Sequence, residues 1–493
     1  MKRLLFFFLL TSKSILLSQT VLNTYPLKLI NPLEDGQVLN FEDTKTHDIY
    51  IFAADDQKIN ILKYNKSLFL TTQFTDTIKN QEKRILSGYS LSEDGNPLLY
   101  WSSPNFRNIK IVKYFLESKT SKALNFNLPE DNEYIITTFQ KNNNFYILGK
   151  ERNSAHLLLY QFNDGRCEIK MFDFSPFKFQ TESGQNLTLN ALLRYLPIQK
   201  MDSDAFNPLD KATSINKMYV LNDHILLTFD YNLKKTQVFD LNIETSNITE
   251  KNFEQPVSKK SSRTSNSFYN ENKLFQVKAN KDEFLFDIKD YDSGKAIKSI
   301  SIAKTDSIKF KNSPFFIQVN NEKPQEIKTT SKFLKQLSGL SVGVSVFKNK
   351  NNNLITFGGF MEQVFTDFAP IPHDYNAIFN FENSINGQYS QSKMVSFDAM
   401  LNSNYEFISN QQQEPLAIDN IYYFISMNKN VSLQNILKLK DYYLLSYYDT
   451  VSKQYTMRKF TDGYMREDNG NPIMNRSQFS KPAKFEKLKF IEN

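Results

Sequence analysis

Short apolar stretches separated by polar turns follow one another along most of this chain. Residues 134–140, 145–149, 156–162 and 167–172 are each rich in aromatic and β-branched residues, and each is short enough to be a single strand. The turns between them are rich in Asn and Asp, which tolerate the left-handed backbone of tight hairpins. Four strands in about 40 residues is the size of one blade of a β-propeller.

The same layout recurs at a nearly constant spacing. Three of the six intervals between the first turns of successive units are 48 or 49 residues, and the other three are about 30 to 40 residues longer. One insertion in each long interval accounts for all six, so the pattern predicts seven units. The turns lie near Lys45, Asp94, Asn142, Asn222, Glu271, Lys350 and Lys440.

These units predict an all-β fold, a β-propeller of about seven four-stranded blades, with residues 19–493 as a single domain. Insertions are expected near 175–216, 303–340 and 361–393, and they should project from a face of the disc. The last unit lacks a fourth strand. Residues 27–30 are predicted to supply it, because pairing the chain ends closes the ring and removes exposed sheet edges.

Two short helices are predicted, both within insertions. Residues 187–196 carry Leu at helical spacing and are followed by Pro197, which stops a helix. Residues 330–337 begin at a threonine cap and end just before Gly339. The propeller is therefore expected to carry short helices only.

The sixth unit is the least regular. Residues 342–347 and 354–357 have the pattern of strands. Its remaining strands are expected among residues 378–381, 394–400 and 422–427, and the pattern does not choose between them.

The N-terminus has the layout of a secretory signal peptide, residues 1–18. Lys2 and Arg3 are basic, residues 4–10 are apolar, and small residues follow up to Ser18, where cleavage is expected. No later segment approaches about 18 consecutive apolar residues, so no transmembrane segment is expected after signal removal. We therefore expect an exported protein, either periplasmic or extracellular.

Composition narrows the classes of partner. The formal net charge is +7, and the basic residues are spread along the chain rather than clustered, so no nucleic-acid partner is expected.

Aromatic residues reach 14%, which favours strands. Cys167 is the single cysteine, so no intramolecular disulfide can form and stability must come from packing.

The residues that match catalytic or metal-binding motifs lack the flanking elements or the spacing that those motifs require. Residues 339–343 read G-x-S-x-G, but a nucleophile elbow needs a strand before the serine and a helix after it. Here the predicted helix precedes Ser341 and the predicted strand follows. The four histidines are too far apart for a metal motif. We expect no cofactor, and the sequence leans towards a protein that is not an enzyme.

Oxygen ligands are concentrated in the first insertion. Asp202, Asp204 and Asp210 lie within nine residues, and Ca²⁺ binds six to eight such oxygens. The spacing departs from an EF-hand, which has a glycine at its sixth position and a glutamate at its twelfth. The three aspartates are a candidate metal site, with a loop of solvated Asx turns as the competing interpretation.

The third insertion carries an aromatic and proline-rich stretch. Phe365, Phe368, His373 and Tyr375 lie within eleven residues and are typical of a contact surface. They are the candidate binding residues. The competing interpretation is that the insertions only cap the core.

Residues 17–19, Leu-Ser-Gln, resemble the signal-peptide ends of Bacteroidetes exports, in which Gln often follows the cleavage site. The strand repeats, rich in Asn, Lys, Phe and Tyr, resemble the uncharacterised exported propeller-like proteins of flavobacteria. This resemblance brings no known activity. The predicted function is a non-enzymatic binding or interaction module of the cell envelope that recognises a protein or a glycan. The alternative is a propeller-type carbohydrate hydrolase or lyase with a site at the central channel.

Overall fold

The computed structural model describes residues 19–78, 84–128, 133–320, 322–366, 388–409, 411 and 413–464. The predicted signal peptide lies outside these ranges. The described residues form seven sheets of four or five strands and one two-stranded hairpin. The fold is a β-propeller, as the sequence predicts, and we number its blades in chain order of their sheets.

The first three blades are antiparallel sheets whose strands follow one another in chain order. Their central strands are the continuous apolar runs and are buried on both faces, whereas the outer strands are largely exposed. The four strands predicted for the third unit are all present, and blades 1 to 3 together contain twelve strands. After β1 (Gln19–Pro26), which belongs to the last blade, they are β2 (Gln37–Glu42), β3 (Ile49–Ala54), β4 (Lys58–Tyr64), β5 (Leu70–Thr77), β6 (Ile85–Leu91), β7 (Pro97–Ser102), β8 (Asn108–Phe115), β9 (Thr120–Asn127), β10 (Glu133–Lys141), β11 (Asn144–Glu151), β12 (His156–Asn163) and β13 (Arg166–Asp173).

The predicted Asn-rich turns are tight hairpins. Asn142 and Asn143 have φ angles of 49° and 61°, and Asp164 and Gly165 have φ angles of 46° and 75°. Two successive residues with positive φ form the type I′ turn, whose twist matches that of the flanking strands. Asn and Gly at these positions therefore set the register of blade 3.

Blade 4 is preceded by most of the first insertion. The insertion forms a hairpin and two helices, of which the first was predicted, and its last strand joins the sheet parallel to the strand that follows. Blade 5 is again a plain four-stranded sheet. The elements are β14 (Phe179–Gln180), β15 (Asn186–Leu187), α1 (Leu189–Tyr195), β16 (Ile198–Met201), α2 (Leu209–Ala212), β17 (Asn216–Val220), β18 (His224–Asn232), β19 (Lys235–Asn242), β20 (Ile248–Glu254), β21 (Thr264–Asn270), β22 (Lys273–Ala279), β23 (Glu283–Asp290) and β24 (Ala296–Ala303).

Blade 6 takes its outer strands from the second insertion, upstream of its inner strand. Its order is β26-β25-β29-β28-β27, so the second insertion is part of a blade and does not project from a face. The predicted helix at 330–337 is present, and its apolar side packs into the core of blades 5 and 6. The elements are β25 (Phe315–Val319), β26 (Gln325–Ile327), α3 (Thr330–Leu337), β27 (Ser341–Asn349), β28 (Asn352–Thr366) and β29 (Gln388–Leu401).

The third insertion begins later than predicted. Residues 361–366 and 388–393 continue the antiparallel ladder of β28 and β29, from Met361 opposite Lys393 to Thr366 opposite Gln388. Residues 378–381, one of the predicted choices for blade 6, lie outside the described residues. Residues 394–400 are strand as predicted.

Blade 7 closes the ring with the N-terminal strand. Its order is β1-β32-β31-β30, and β1 pairs with β32 from Gln19 opposite Phe460 to Pro26 opposite Gln454. Closure by the N-terminus was predicted, but the predicted residues, 27–30, were wrong. The elements are α4 (Ala417–Met427), β30 (Val431–Lys438), β31 (Tyr443–Asp449) and β32 (Gln454–Phe460).

Helix α4 removes one of the three stretches among which the remaining strands of the sixth unit were expected, residues 422–427. Ala417, Ile421 and Phe424 recur at helical spacing and pack against β31 and β32 of blade 7. Asp419 caps the helix by accepting a hydrogen bond from the backbone N–H of Leu416 at 2.8 Å. Within the described residues, no helix is both long enough and apolar enough to span a lipid bilayer.

Neighbouring blades meet along their inner strands. β2 contacts both β30 and β6, β6 contacts β10, and β21 contacts β27. Apolar clusters lie at the junctions of blades 7 and 1, 1 and 2, 2 and 3, and 3 and 4, and one large cluster spans blades 4 to 6. The cluster between blades 3 and 4 also buries α1. Between blades 1 and 7, Asn40 and the Tyr455 hydroxyl exchange hydrogen bonds of 2.6 and 2.9 Å.

Residues 198–213, which we call the crossing segment, lie across the inner strands of four blades. β16 pairs with β17 of blade 4, and Asn266 of blade 5 donates to the Thr213 carbonyl at 3.0 Å. Ser345 of blade 6 and Lys438 of blade 7 donate to carbonyl oxygens of the same segment. The prediction that the first insertion projects from a face is wrong for these residues.

Candidate functional site

A pocket of about 610 Å³ opens at the junction of blades 4 and 5. Its wall comes from residues 181–183, from Asp230, Tyr231 and Leu233, and from residues 263–265. Leu196, at the end of α1, and Ile215, just before β17, complete it. This volume falls within the range of about 300–1,000 Å³ that is typical of small-molecule sites.

The β14–β15 hairpin is pinned to the end of β18. The Tyr231 hydroxyl accepts a hydrogen bond from the Gln180 N–H at 3.2 Å, and Asn232 Nδ2 donates to the Gln180 carbonyl at 2.9 Å. At the turn of the hairpin, Gly184 has a φ of 85° and its N–H donates to the Thr181 carbonyl at 3.0 Å. The rim of the pocket is therefore held by two side chains of blade 4 that bind the hairpin backbone, and by the hairpin's own turn.

A buried carboxylate, Asp230, forms part of the pocket floor. Its Oδ2 accepts from the Ser267 N–H and from Ser267 Oγ, both at 2.8 Å. Its Oδ1 accepts from Thr236 Oγ1 at 2.6 Å and from Gln255 Nε2 at 3.1 Å. Lys217 Nζ lies 3.5 Å from Oδ2. Both oxygens of this carboxylate are thus fully engaged by the protein.

Lys217 joins blade 4 to blade 5 behind the pocket. Its ammonium is fully buried and donates to Asn266 Oδ1 at 2.6 Å. Burial lowers the pKa of Lys217 to about 8, although the Asp230 carboxylate opposes the change. Because Asn266 also binds the Thr213 carbonyl, the network links both blades to the crossing segment.

Ser265 is a buried polar residue of the pocket lining. The residue is fully buried, and its Oγ has no hydrogen-bond partner among the described residues and essentially no accessible surface. Arg263 and Glu182, at the rim, are exposed. The polar groups that a ligand could reach therefore lie at the rim of the pocket rather than at Ser265.

The three predicted metal ligands all lie in the crossing segment. The Asp202 N–H donates to Asn207 Oδ1 at 2.8 Å, and Lys438 binds the carbonyl of Asp204. Burial raises the pKa of Tyr422, and the nearby carboxylates of Asp202 and Asp210 raise it further. Within the described ranges, no group of three or more His, Cys, Asp or Glu side chains is arranged to hold a metal ion.

The predicted binding residues fall at or beyond the end of β28. Phe365 pairs with Tyr389 in the ladder. Phe368, His373 and Tyr375 lie outside the described residues. The prediction of a contact surface there stays a prediction.

The G-x-S-x-G stretch has a packing role. Helix α3 precedes Ser341 and β27 begins at it, which is the order expected from the sequence. A Cβ added at Gly343 would lie 2.6 Å from Thr213 Cγ2 and 3.0 Å from Thr213 Cα. The glycine therefore lets the crossing segment approach the inner strand of blade 6 closely.

Sequence reasoning missed the pocket residues Asp230 and Ser265 and the buried Lys217 behind the pocket. A usable clue was present, because Lys217 stands inside a short apolar stretch and Asp230 ends another. A charged residue in a strand buried on both faces must find a partner. The sequence could have marked these positions, but not shown that they meet.

No family model matches this chain, and no curated protein does. Among solved structures, a protein from Lactobacillus plantarum has 11% identity and a TM-score of 0.24, over 46% of this chain and 57% of that one. This chain thus spans little more than half of that protein's length.

Two other solved structures match over most of both chains. The WD40 domain of SCAP from fission yeast has 10% identity and a TM-score of 0.28, over 90% of this chain and 87% of that one. An oligogalacturonate lyase in complex with manganese has 8% identity and a TM-score of 0.30, over 89% and 97%. At these values the likeness concerns the fold and carries no argument about function.

Proposed function

We propose that this protein is an exported, non-enzymatic binding module of the cell envelope that recognises a protein or a glycan through the pocket between blades 4 and 5. The observation that carries the proposal is a pocket whose buried carboxylate is fully engaged by the protein. The Asp230 carboxylate accepts four hydrogen bonds and lies 3.5 Å from Lys217 Nζ. A saturated carboxylate lacks the free lone pair that a general base needs, so the pocket supports binding better than acid–base catalysis.

The alternative, a carbohydrate hydrolase or lyase at the central channel, is less well supported. Such an enzyme needs two or three carboxylates that converge within about 5–10 Å around an open space. The crossing segment lies across the inner strands of blades 4, 5, 6 and 7, where that space would be. This arrangement favours binding at a blade junction over catalysis at the axis.

The test is the recovery of partners from envelope extracts with a variant that blocks the pocket. Ser183 is exposed on the β14–β15 turn and lines the pocket, so Ser183→Trp should obstruct the opening without disturbing the core. Ser452→Trp is the matched control, because Ser452 is exposed on the β31–β32 turn of blade 7. We expect the parent and Ser452→Trp to recover the same protein or glycan, and Ser183→Trp to lose it.

A third variant tests the contact surface predicted from the sequence. Replacing residues 367–387 by a short linker keeps the whole β28–β29 ladder and removes Phe368, His373 and Tyr375. If this variant loses the partner and Ser183→Trp keeps it, the recognition surface is residues 367–387 and not the pocket. Equal recovery of the partner by all four proteins would show that neither the pocket nor residues 367–387 form the recognition surface.

A further inference from the structure

The hydroxyl groups that line the pocket are already engaged or out of reach. Thr181 Oγ1 lies 2.9 Å from Ser183 Oγ and accepts from a backbone N–H. The Tyr231 hydroxyl both donates and accepts, and Thr264 Oγ1 accepts from a backbone N–H of blade 6. Ser265 Oγ has essentially no accessible surface. A ligand covered with hydroxyl groups would therefore find few partners on this wall.

Aliphatic side chains make up much of the remaining wall. Leu196, Ile215 and Leu233 line the pocket and are part-buried, so each presents apolar surface to it. They come from the end of α1, from the residue before β17 and from the β18–β19 turn. Covering such surface removes it from water and stabilises a bound apolar group. The wall is therefore suited to an aliphatic side chain of a ligand.

Lys278 is a buried cation beside the pocket. The residue is 8% exposed, lies opposite Ser265 in the ladder of β21 and β22, and donates from Nζ to the Leu233 carbonyl at 2.8 Å. Both of these neighbours line the pocket. Lys278 makes no ion pair with a carboxylate of the described residues. A charge that is buried without a partner is costly, so an anion next to this ammonium would be stabilised.

The pKa of Lys278 agrees with this interpretation. Burial lowers it, and the carboxylates of Glu182 and Glu283 oppose the change without forming an ion pair. An anion bound beside the ammonium would favour its charged form in the same direction as those carboxylates.

Two further cations lie at the rim. Arg263 is exposed and makes no hydrogen bond or ion pair with any described residue. Lys234 is exposed and makes one long hydrogen bond, from Nζ to the Glu182 carbonyl at 3.4 Å. Of the two acidic residues that line the pocket, Asp230 is engaged beside Lys217, which leaves Glu182. Three cations around one accessible carboxylate favour an anionic ligand.

We infer that the pocket between blades 4 and 5 binds the C-terminal carboxylate of a peptide whose last residue is aliphatic. The inference rests on the proposed binding function and names the class of its partner. A peptide C-terminus places a carboxylate next to a side chain, which matches cations beside an aliphatic wall. Lys278 and Arg263 hold the carboxylate, and Leu196, Ile215 and Leu233 contact the side chain. An acidic sugar has the same charge but brings hydroxyl groups that this wall does not satisfy.

The experiment is calorimetry with the full chain and two matched ligands, N-acetyl-Gly-Gly-Leu and the same peptide with a C-terminal amide. The two ligands share their apolar surface and differ in the charge of the terminus. We expect the acid to bind and the amide to bind about tenfold more weakly or worse, because the amide loses charge-assisted hydrogen bonds. The affinity for the acid should also fall as salt is added.

Substitutions of the charged groups have opposite expected effects. Lys278→Met and Arg263→Gln should each weaken binding of the acid about tenfold, whereas Glu182→Gln should strengthen it about threefold by removing a like charge. Lys150→Met and Arg166→Gln are matched controls outside the pocket. Lys150 is a buried lysine of β11 whose Nζ donates to two carbonyl oxygens, and Arg166 is an exposed arginine of β13. Arg263 and Glu182 are exposed, so their variants test the pocket even if Lys278→Met unfolds.

Binding of the acid that follows this pattern supports the inference. Equal binding of the acid and the amide, no binding of the acid at millimolar concentration, or binding that the pocket variants leave unchanged overturns it. Trigalacturonate, an acidic saccharide, is titrated in parallel. If it binds in a Lys278-dependent way and the peptide acid does not bind, the peptide assignment is wrong and the carboxylate belongs to a glycan. In each of these cases, partner recovery by the parent and not by Ser183→Trp would still support the binding function.

Discussion

Replacing Asp230 with Asn tests the buried network that joins blades 4 and 5. The substitution removes the negative charge 3.5 Å from Lys217 Nζ and leaves a fully buried ammonium without a counter-charge. It also replaces one acceptor oxygen with an NH₂ group that faces hydrogen-bond donors. Breaking a buried ion pair from one side costs about 3–5 kcal/mol, and we expect Asp230→Asn to lose this much of its unfolding free energy.

Lys217→Met removes the other partner of the same buried ion pair. It removes the cation and keeps the length of the side chain, and Asp230 retains its four hydrogen bonds. Because an apolar residue of similar size replaces a buried charge, we expect a loss below about 2 kcal/mol. The double variant should be more stable than Asp230→Asn, since the uncompensated charge is gone.

The pH dependence follows from the Lys217 pKa, which burial lowers from its usual 10.5 to about 8. The unfolded chain binds this proton more tightly than the folded one, so the folded state gains stability as the pH rises from 8 towards 10.5. Between pH 7.5 and 9.5 the parent should gain about 2 kcal/mol relative to Lys217→Met, in which this group is absent. Titration of the buried tyrosines cancels in that difference.

The assay is urea unfolding followed by circular dichroism, with the fluorescence of Trp101 in blade 2 as a second probe. Coincident transitions allow the free energies to be compared. A loss below about 1 kcal/mol in Asp230→Asn, or a double variant no more stable than Asp230→Asn, would refute the buried-pair argument. A parent and a Lys217→Met variant with parallel pH profiles would refute the lowered pKa.

Two further predictions concern the packing of the ring. Gly343→Ala should cost about 1–3 kcal/mol, because its Cβ would overlap the backbone of Thr213, whereas Gly339→Ala has open space and should melt with the parent; equal melting of both variants would contradict this contact. Deleting residues 19–26 exposes the edge of β32, so we expect a lower melting temperature and aggregation in light scattering; a deletion variant that stays monomeric and melts with the parent would show that the strand is not needed for closure.

The pattern of the sequence predicted the elements better than their connections. Blades 1 to 3 follow it strand by strand, because each strand is a short apolar run between Asn- or Gly-containing turns. In blade 6 the outer strand β25 precedes the inner strand β27 in the chain, and spacing along a sequence does not reveal such an order. The number of units was therefore easier to predict than the path of the chain through them.

Two local errors have physical reasons. Residues 422–427 form a short apolar run that periodicity does not distinguish from a strand, and the helix becomes visible only when Ala417 is included. Leu27 is buried and resembles a strand residue, but it packs into the core just after the strand has ended at Pro26. Burial of a residue does not by itself show that its backbone pairs in a sheet.

The pocket could not be predicted from the sequence, for a different reason. The pocket is built from stretches of residues around 182, 231 and 264, which lie on a hairpin, on blade 4 and on blade 5. Each stretch is unremarkable by itself, and only the tertiary fold brings them together. Motifs read along the chain favoured local clusters instead, such as the aspartates at 202–210.

Ring closure by β1 has a consequence for the folding rate. Gln19 pairs with Phe460, so the last ladder joins residues near opposite ends of the described chain. Contacts of such high sequence separation slow folding, because the entropy of closing the loop must be lost before the contact forms. During synthesis from the N-terminus, β1 emerges first and its partner β32 last. We expect blades 1 to 6 to fold before the ring closes, with β1 unpaired until β32 is complete.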